Sequence, residues 1–134
     1  MTQYLLDTNI CIYFLKGKFD LKKTKIYTVG LANCSISEVT VAELKYGAEK
    51  SQRPDENSFI IEDFITKFSI IPIYPSLDIY AKEKARLKKA GTIIDDFDLL
   101  IGATAISNDL SLVTNNIAHL GRLTNIKIED WTKN

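Results

Sequence analysis

Four polar positions carry the residue types and spacing for phosphodiester chemistry: Asp7, Glu43, Asp98 and Asn116. Each falls just after a run of strand length or in the first turns of a helical pattern, within Asp7-Thr8-Asn9, Thr40 to Glu43, Asp96 to Asp98 and Thr114-Asn115-Asn116. In an open parallel sheet those are the places that line the crevice outside the carboxyl ends of the strands. Three carboxylates meeting there repel one another, and a divalent cation relieves the repulsion. Oxygen donors of this kind suit Mg²⁺ or Mn²⁺, which keep several waters and share a substrate's phosphate oxygens. Asn116 adds a neutral oxygen, and Thr8 and Thr114 add hydroxyls.

Each acid also has a structural reading. Asp7 is a favoured cap for the helix that follows, although Thr8 or Asn9 could serve. Thr40-Val41-Ala42-Glu43 matches the capping box, in which the glutamate reaches back to the cap residue. Asp98, with Asp95 and Asp96, complements a helix dipole. These readings explain the acids singly and leave their convergence open.

Other chemistries lack parts. His119 is the only histidine, has no Ser or Cys partner in an oriented motif, and is expected to be a surface or packing residue. Gly91 and Gly102 are isolated, so there is no phosphate-cradling loop, and Cys11 and Cys34 do not make a zinc spacing. They read as buried, reduced thiols. An aspartate-nucleophile phosphatase needs a second acid at Asn9, and a phospho-receiver needs one after the third strand, where Ile73-Tyr74-Pro75 stands.

The elements that position these residues alternate between strand and helix, the pattern of a parallel α/β sheet. Strands are expected at Tyr4–Leu6, Cys34–Ser37, Ser69–Ile73, around Leu112-Val113, and at Ile126–Trp131. Helices are expected from Ile10, Thr40, Pro54, Leu77 and Phe97, with Phe59, Ile60, Phe64, Ile65 and Phe68 on one face of the third and Gly91 ending the fourth. The 134 residues fit one α/β domain, 1–134, with a mainly parallel sheet of four to five strands. No run approaches the ~20 apolar residues of a membrane span, and the N-terminus lacks signal-peptide features, so a cytoplasmic location is expected.

Seventeen basic and 17 acidic residues cancel, which argues against coating nucleic acid by bulk charge. They are unevenly spread: Lys16, Lys18, Lys22, Lys23 and Lys25 cluster early, and Lys82, Lys84, Arg86, Lys88 and Lys89 later. An RNA path requires these clusters to flank the acids in space.

The ordered motifs resemble the PIN-domain family, and VapC ribonuclease toxins in particular. Tyr4 to Asn9 is similar to that family's opening, and Ser35-Ile36-Ser37 through Ala42-Glu43-Leu44 and Tyr46-Gly47 to its second motif. Asp96 to Ala103 resembles the third, Leu112 to Asn116 the fourth, and Ile128-Glu129-Asp130-Trp131 the usual ending. The resemblance implies a metal site at Asp7, Glu43 and Asp98, a fourth catalytic position at Asn116, and RNA cleavage with Mg²⁺ or Mn²⁺. It also implies a VapB-like antitoxin and a toxin homodimer. The alternative is an inactive PIN-fold module that binds RNA or protein. Two departures stand out: Ile117-Ala118-His119-Leu120 replaces the usual charged residue and aromatic, and Gly102 replaces the more usual alanine.

Overall fold

In the computed structural model, which describes residues 3–20 and 25–133, five short strands form one parallel sheet. They are β1 (Tyr4–Leu6), β2 (Cys34–Ser37), β3 (Ser69–Ile71), β4 (Ser111–Val113) and β5 (Lys127–Glu129), in the order β3-β2-β1-β4-β5. Seven helices connect them: α1 (Thr8–Leu15), α2 (Ile26–Val29), α3 (Glu38–Glu49), α4 (Pro54–Ile65), α5 (Leu77–Lys89), α6 (Asp96–Ser107) and α7 (Ile117–Leu120). The expected α/β class and parallel sheet are therefore found. Strand order reverses between β1 and β4, and such a switch point opens a crevice at the carboxyl edge.

Strand alternation explains the two cores. Leu5 and Leu6 are both fully buried, and successive strand residues point to opposite faces. Leu6 joins Ile10, Phe14, Ile36 and Phe64 on the side of α1 and α4. Leu5 joins Leu87, Leu99, Ile101 and Leu112 on the side of α5 and α6. Cys11 and Cys34 are free and buried; burial pushes both thiols up, Cys34 to about 11.

Several expected details change. Ser69–Ile73 shortens to Ser69–Ile71, and Ile126–Trp131 to Lys127–Glu129. On α4, Ile61, Phe64 and Ile65 face the core, whereas Phe59 is 78% exposed and Ile60 is 45% exposed. The helical period explains this, since 61, 64, 65 and 68 follow an i, i+3, i+4, i+7 stripe that leaves 59 on the opposite side. Ser76 precedes α5 without a side-chain capping bond. Gly91 ends α5 as expected, at φ +72°, where Thr92 N–H closes onto Leu87 O at 3.0 Å. Gly102 has a steric reason, because a Cβ there would run into the Leu123 side chain.

One buried acid is structural. Glu83 accepts from Arg86 Nε at 2.9 Å and Thr124 N at 2.6 Å, while Arg86 Nη2 donates to Arg122 O at 2.7 Å. This ties α5 to the segment after α7. The Arg86 hydrogen bonds hold the Glu83 carboxyl down at about 2. A depressed carboxyl contributes stability above its unfolded value of 4.5, and that stability disappears as pH falls from 4.5 toward about 2. Glu83→Gln is expected to cost about 2 kcal/mol at neutral pH, discounted for the partly exposed Arg86. In urea titrations the difference from the parent should close across that acid window; a constant difference would contradict the assignment.

Candidate active site

The backbone sets the first acid. Asp7 leaves β1 with its N–H bonded to Val113 O at 3.0 Å, and it caps α1, its Oδ1 accepting from Thr8 N at 2.8 Å. The helix thus begins at Thr8, and Asp7 itself, not Thr8 or Asn9, is the cap. Its other oxygen, Oδ2, accepts from Thr114 Oγ1 at 2.7 Å. That bond crosses the switch point, joining the ends of β1 and β4. Asp7 is 3% exposed. Burial raises its carboxyl above the usual range, Glu43 raises it further, and the Thr114 and Thr8 bonds oppose both.

Glu43 is not part of a capping box. The cap of α3 is Ser37, the last residue of β2, whose hydroxyl accepts from Val39 N at 3.0 Å. The helix therefore starts two residues before Thr40. Thr40 instead shares a 2.9 Å hydroxyl hydrogen bond with Thr8, and Thr8 Oγ1 donates to Glu43 Oε1 at 2.7 Å. Burial raises the Glu43 carboxyl, with Asp98 and Asp95 adding to the effect.

The three acids at the start of α6 divide their tasks. Asp95 caps the helix through Phe97 N at 3.1 Å, and Asp96 pairs with Lys84 at 2.9 Å. Asp98 is half-buried. Its carboxyl is raised first by burial, then by Asp7 and Asp95, while His119 lowers it. Asp7 repels Glu43, Glu43 repels Asp98, and Asp98 repels Asp7. Carboxylates drawn from residues 7, 43 and 98 thus feel one another within a single crevice.

Asn116 stands at the start of α7, its N–H donating to Thr114 Oγ1 at 3.0 Å. Its amide is not bonded to any of the three acids among the described residues. His119 is exposed, as expected, yet its charge acts on Asp98. Thr40 also belongs to the site, and its capping pattern concealed that. Among the described residues, no three Asp, Glu, His or Cys side chains close around one point as a ready-made metal cage.

Residues 4–122 match the family model described as PIN domain. Over 132 residues the chain is 38% identical to a protein named Ribonuclease VapC2 from Haemophilus influenzae, covering 98% of this chain and 99% of that one. The chain belongs to the VapC-type PIN-domain family. This PIN domain is also 34% identical over 132 residues to the tRNA(fMet)-specific endonuclease VapC of Salmonella typhimurium, at 98% and 99% coverage. Its fold superposes with a TM-score of 0.88 on a chain from the crystal structure of DNA-bound VapBC from Salmonella typhimurium, at 32% identity and coverage of 98% and 99%. A chain from the structure of VapBC2 from Rickettsia felis bound to a promoter DNA fragment gives 0.83, again at 32% identity, with coverage of 97% and 99%.

Proposed function

We propose that this PIN domain is a divalent-metal-dependent endoribonuclease, the toxin of a toxin–antitoxin pair acting in the cytoplasm. The observation that carries the reading is the mutual repulsion of Asp7, Glu43 and Asp98 at the switch point, each carboxyl raised by burial and by its neighbours. That donor set fits a hard cation, Mg²⁺ or Mn²⁺, whose remaining positions are filled by water and phosphate oxygen. The absence of a closed protein cage is in keeping with such a water-rich shell. Asp7, Glu43 and Asp98 would hold the cation, and it supplies positive charge to the phosphate oxygens during hydrolysis.

The chain's own groups preorganise the site. Thr114 and Thr8 N fix both oxygens of Asp7, so the carboxylate cannot rotate away. Thr8 holds one oxygen of Glu43 and leaves the other without a protein donor among the described residues. Asn116, anchored by its N–H on Thr114, has a side-chain amide available to orient water or a phosphate oxygen. Preorganised dipoles of this sort act without reorganisation at the moment of reaction.

A groove of about 320 Å³, lined by Ile12, Leu15, Leu44, Ile60, Ile61 and Glu43, runs between α1, α3 and α4. It supports an antitoxin segment with an apolar face as the inhibitory partner; the homodimer rests on the family resemblance.

Purified chain incubated with bulk bacterial tRNA and Mn²⁺ is expected to yield internal cleavage products, and EDTA is expected to abolish them. Equal cleavage in EDTA would overturn the metal-dependent reading.

A further inference from the structure

Helix α5 carries Tyr80, Lys84 and Lys88 at four-residue intervals, which makes them one ridge with about 6 Å of rise per step. The ridge faces the start of α6. Tyr80 Oη donates to Asp96 Oδ1 at 2.9 Å, and Lys84 Nζ lies 2.9 Å from the same oxygen. Asp96 is two residues from Asp98, so a fixed cation stands beside the acidic crevice with 46% of its side chain still exposed. Lys84 and Lys88 also flank a cleft of about 30 Å³ with Ile93, Ile94 and Leu99. Beside it Phe97 and Ile93 are 49% and 64% exposed.

The remaining cations of this run differ in their commitments. Arg86 is occupied by Glu83 and Arg122 O, whereas Lys88 has no carboxylate partner among the described residues. Three mutually repelling carboxylates also repel a polyanion, so a nucleic-acid strand must be held by positive charge just outside them. The opposite flank offers such charge as well. Lys16 borders the groove near Glu43, and Lys18 Nζ lies 5.9 Å from the centroid of Tyr13, whose hydroxyl accepts from Asn115 Nδ2 at 3.2 Å. Described members of both basic clusters therefore sit beside the site; Lys22 and Lys23 lie outside the described residues.

We infer that a single strand of RNA crosses the acidic crevice and continues along the Tyr80–Lys84–Lys88 ridge, with Lys84 and Lys88 holding backbone phosphates and Phe97 stacking on a base. This rests on the ribonuclease reading above. The two lysines are positioning residues, which act on binding before any bond is cut. Phe97 stands between Asp96 and Asp98 with its N–H held by Asp95, so its exposed ring is carried on the same helical turn as the site.

The test is fluorescence anisotropy with a labelled single-stranded RNA of about 12 nucleotides, in EDTA so that binding is separated from cleavage. Lys84→Ala/Lys88→Ala is expected to weaken binding about 10-fold and to flatten the slope of log K against log salt by about 1.4, as two lost phosphate contacts require. Phe97→Ala is expected to weaken binding about 10-fold with the slope unchanged. Lys84→Arg/Lys88→Arg should restore the slope. Lys127→Ala, on β5 and paired with Asp109, should alter neither quantity. Binding and slope unchanged in the double alanine variant would overturn the proposal, and so would weaker binding with an unaltered slope. Ridge-dependent binding by a chain that cuts no RNA in Mn²⁺ would overturn the ribonuclease reading alone.

Discussion

Asp98→Asn is expected to reduce metal-dependent RNA cleavage about a thousandfold, or ~4 kcal/mol of barrier, while the protein stays folded. The substitution is nearly isosteric. Asp98 is not the cap of α6, because Asp95 holds that position, so the helix start survives. Removing its charge also relieves repulsion with Asp7, which removes a cost from the metal-free state. The melting temperature should therefore stay within a few degrees of the parent. Expression of the variant should no longer inhibit growth. Time courses of RNA cleavage at saturating Mn²⁺, paired with thermal melts, check both halves. Cleavage retained in the variant would remove Asp98 from the mechanism.

The second large effect is on stability. Mn²⁺ at about 100 times its dissociation constant should stabilise the parent by about 2.7 kcal/mol, a rise in melting temperature on the order of 10 °C for a chain of this size. Asp7→Asn should show only a small part of that rise. Asparagine still caps a helix and still accepts from Thr8 N and Thr114 Oγ1, so the variant should fold without metal. The difference then reports ligation and not damage. Differential scanning fluorimetry with and without Mn²⁺ decides it, and equal rises in both proteins would mean that the cation binds elsewhere.

The sheet was legible because its signals are local. Tyr4–Leu6 and Cys34–Ser37 are short apolar runs closed by cap-forming residues, and both strands begin and end at the expected residues. The candidate acids were legible for a related reason: polar residues directly after buried strands have only the carboxyl edge to occupy. What misled was the local motif with two possible partners. Thr40 and Glu43 have capping-box spacing, but Ser37 sits nearer the strand end and captures the cap. Sequence spacing alone cannot say which hydroxyl is closest to an orphan N–H. Phe59 and Ile60 misled because apolar identity was counted without phase.

The contacts between distant elements were not legible at all. The Thr114–Asp7 bond joins residues 107 apart, and the Lys84–Asp96 pair depends on how α5 lies against α6. The influence of His119 on Asp98 is of the same kind. Each follows from strand order, which tertiary pairing sets. Glu83 was missed because nothing in its own helix marks it as buried; Thr124, its backbone partner, is 41 residues away.

The most direct measurement is an anomalous-scattering map from crystals of the unmutated protein soaked in Mn²⁺. The account predicts a peak in the crevice between β1 and β4, within ligand or one-water distance of the carboxylates of residues 7, 43 and 98, and its loss in Asp98→Asn crystals. A fully soaked crystal with no manganese in that crevice, or with the same peak in the variant, would contradict it.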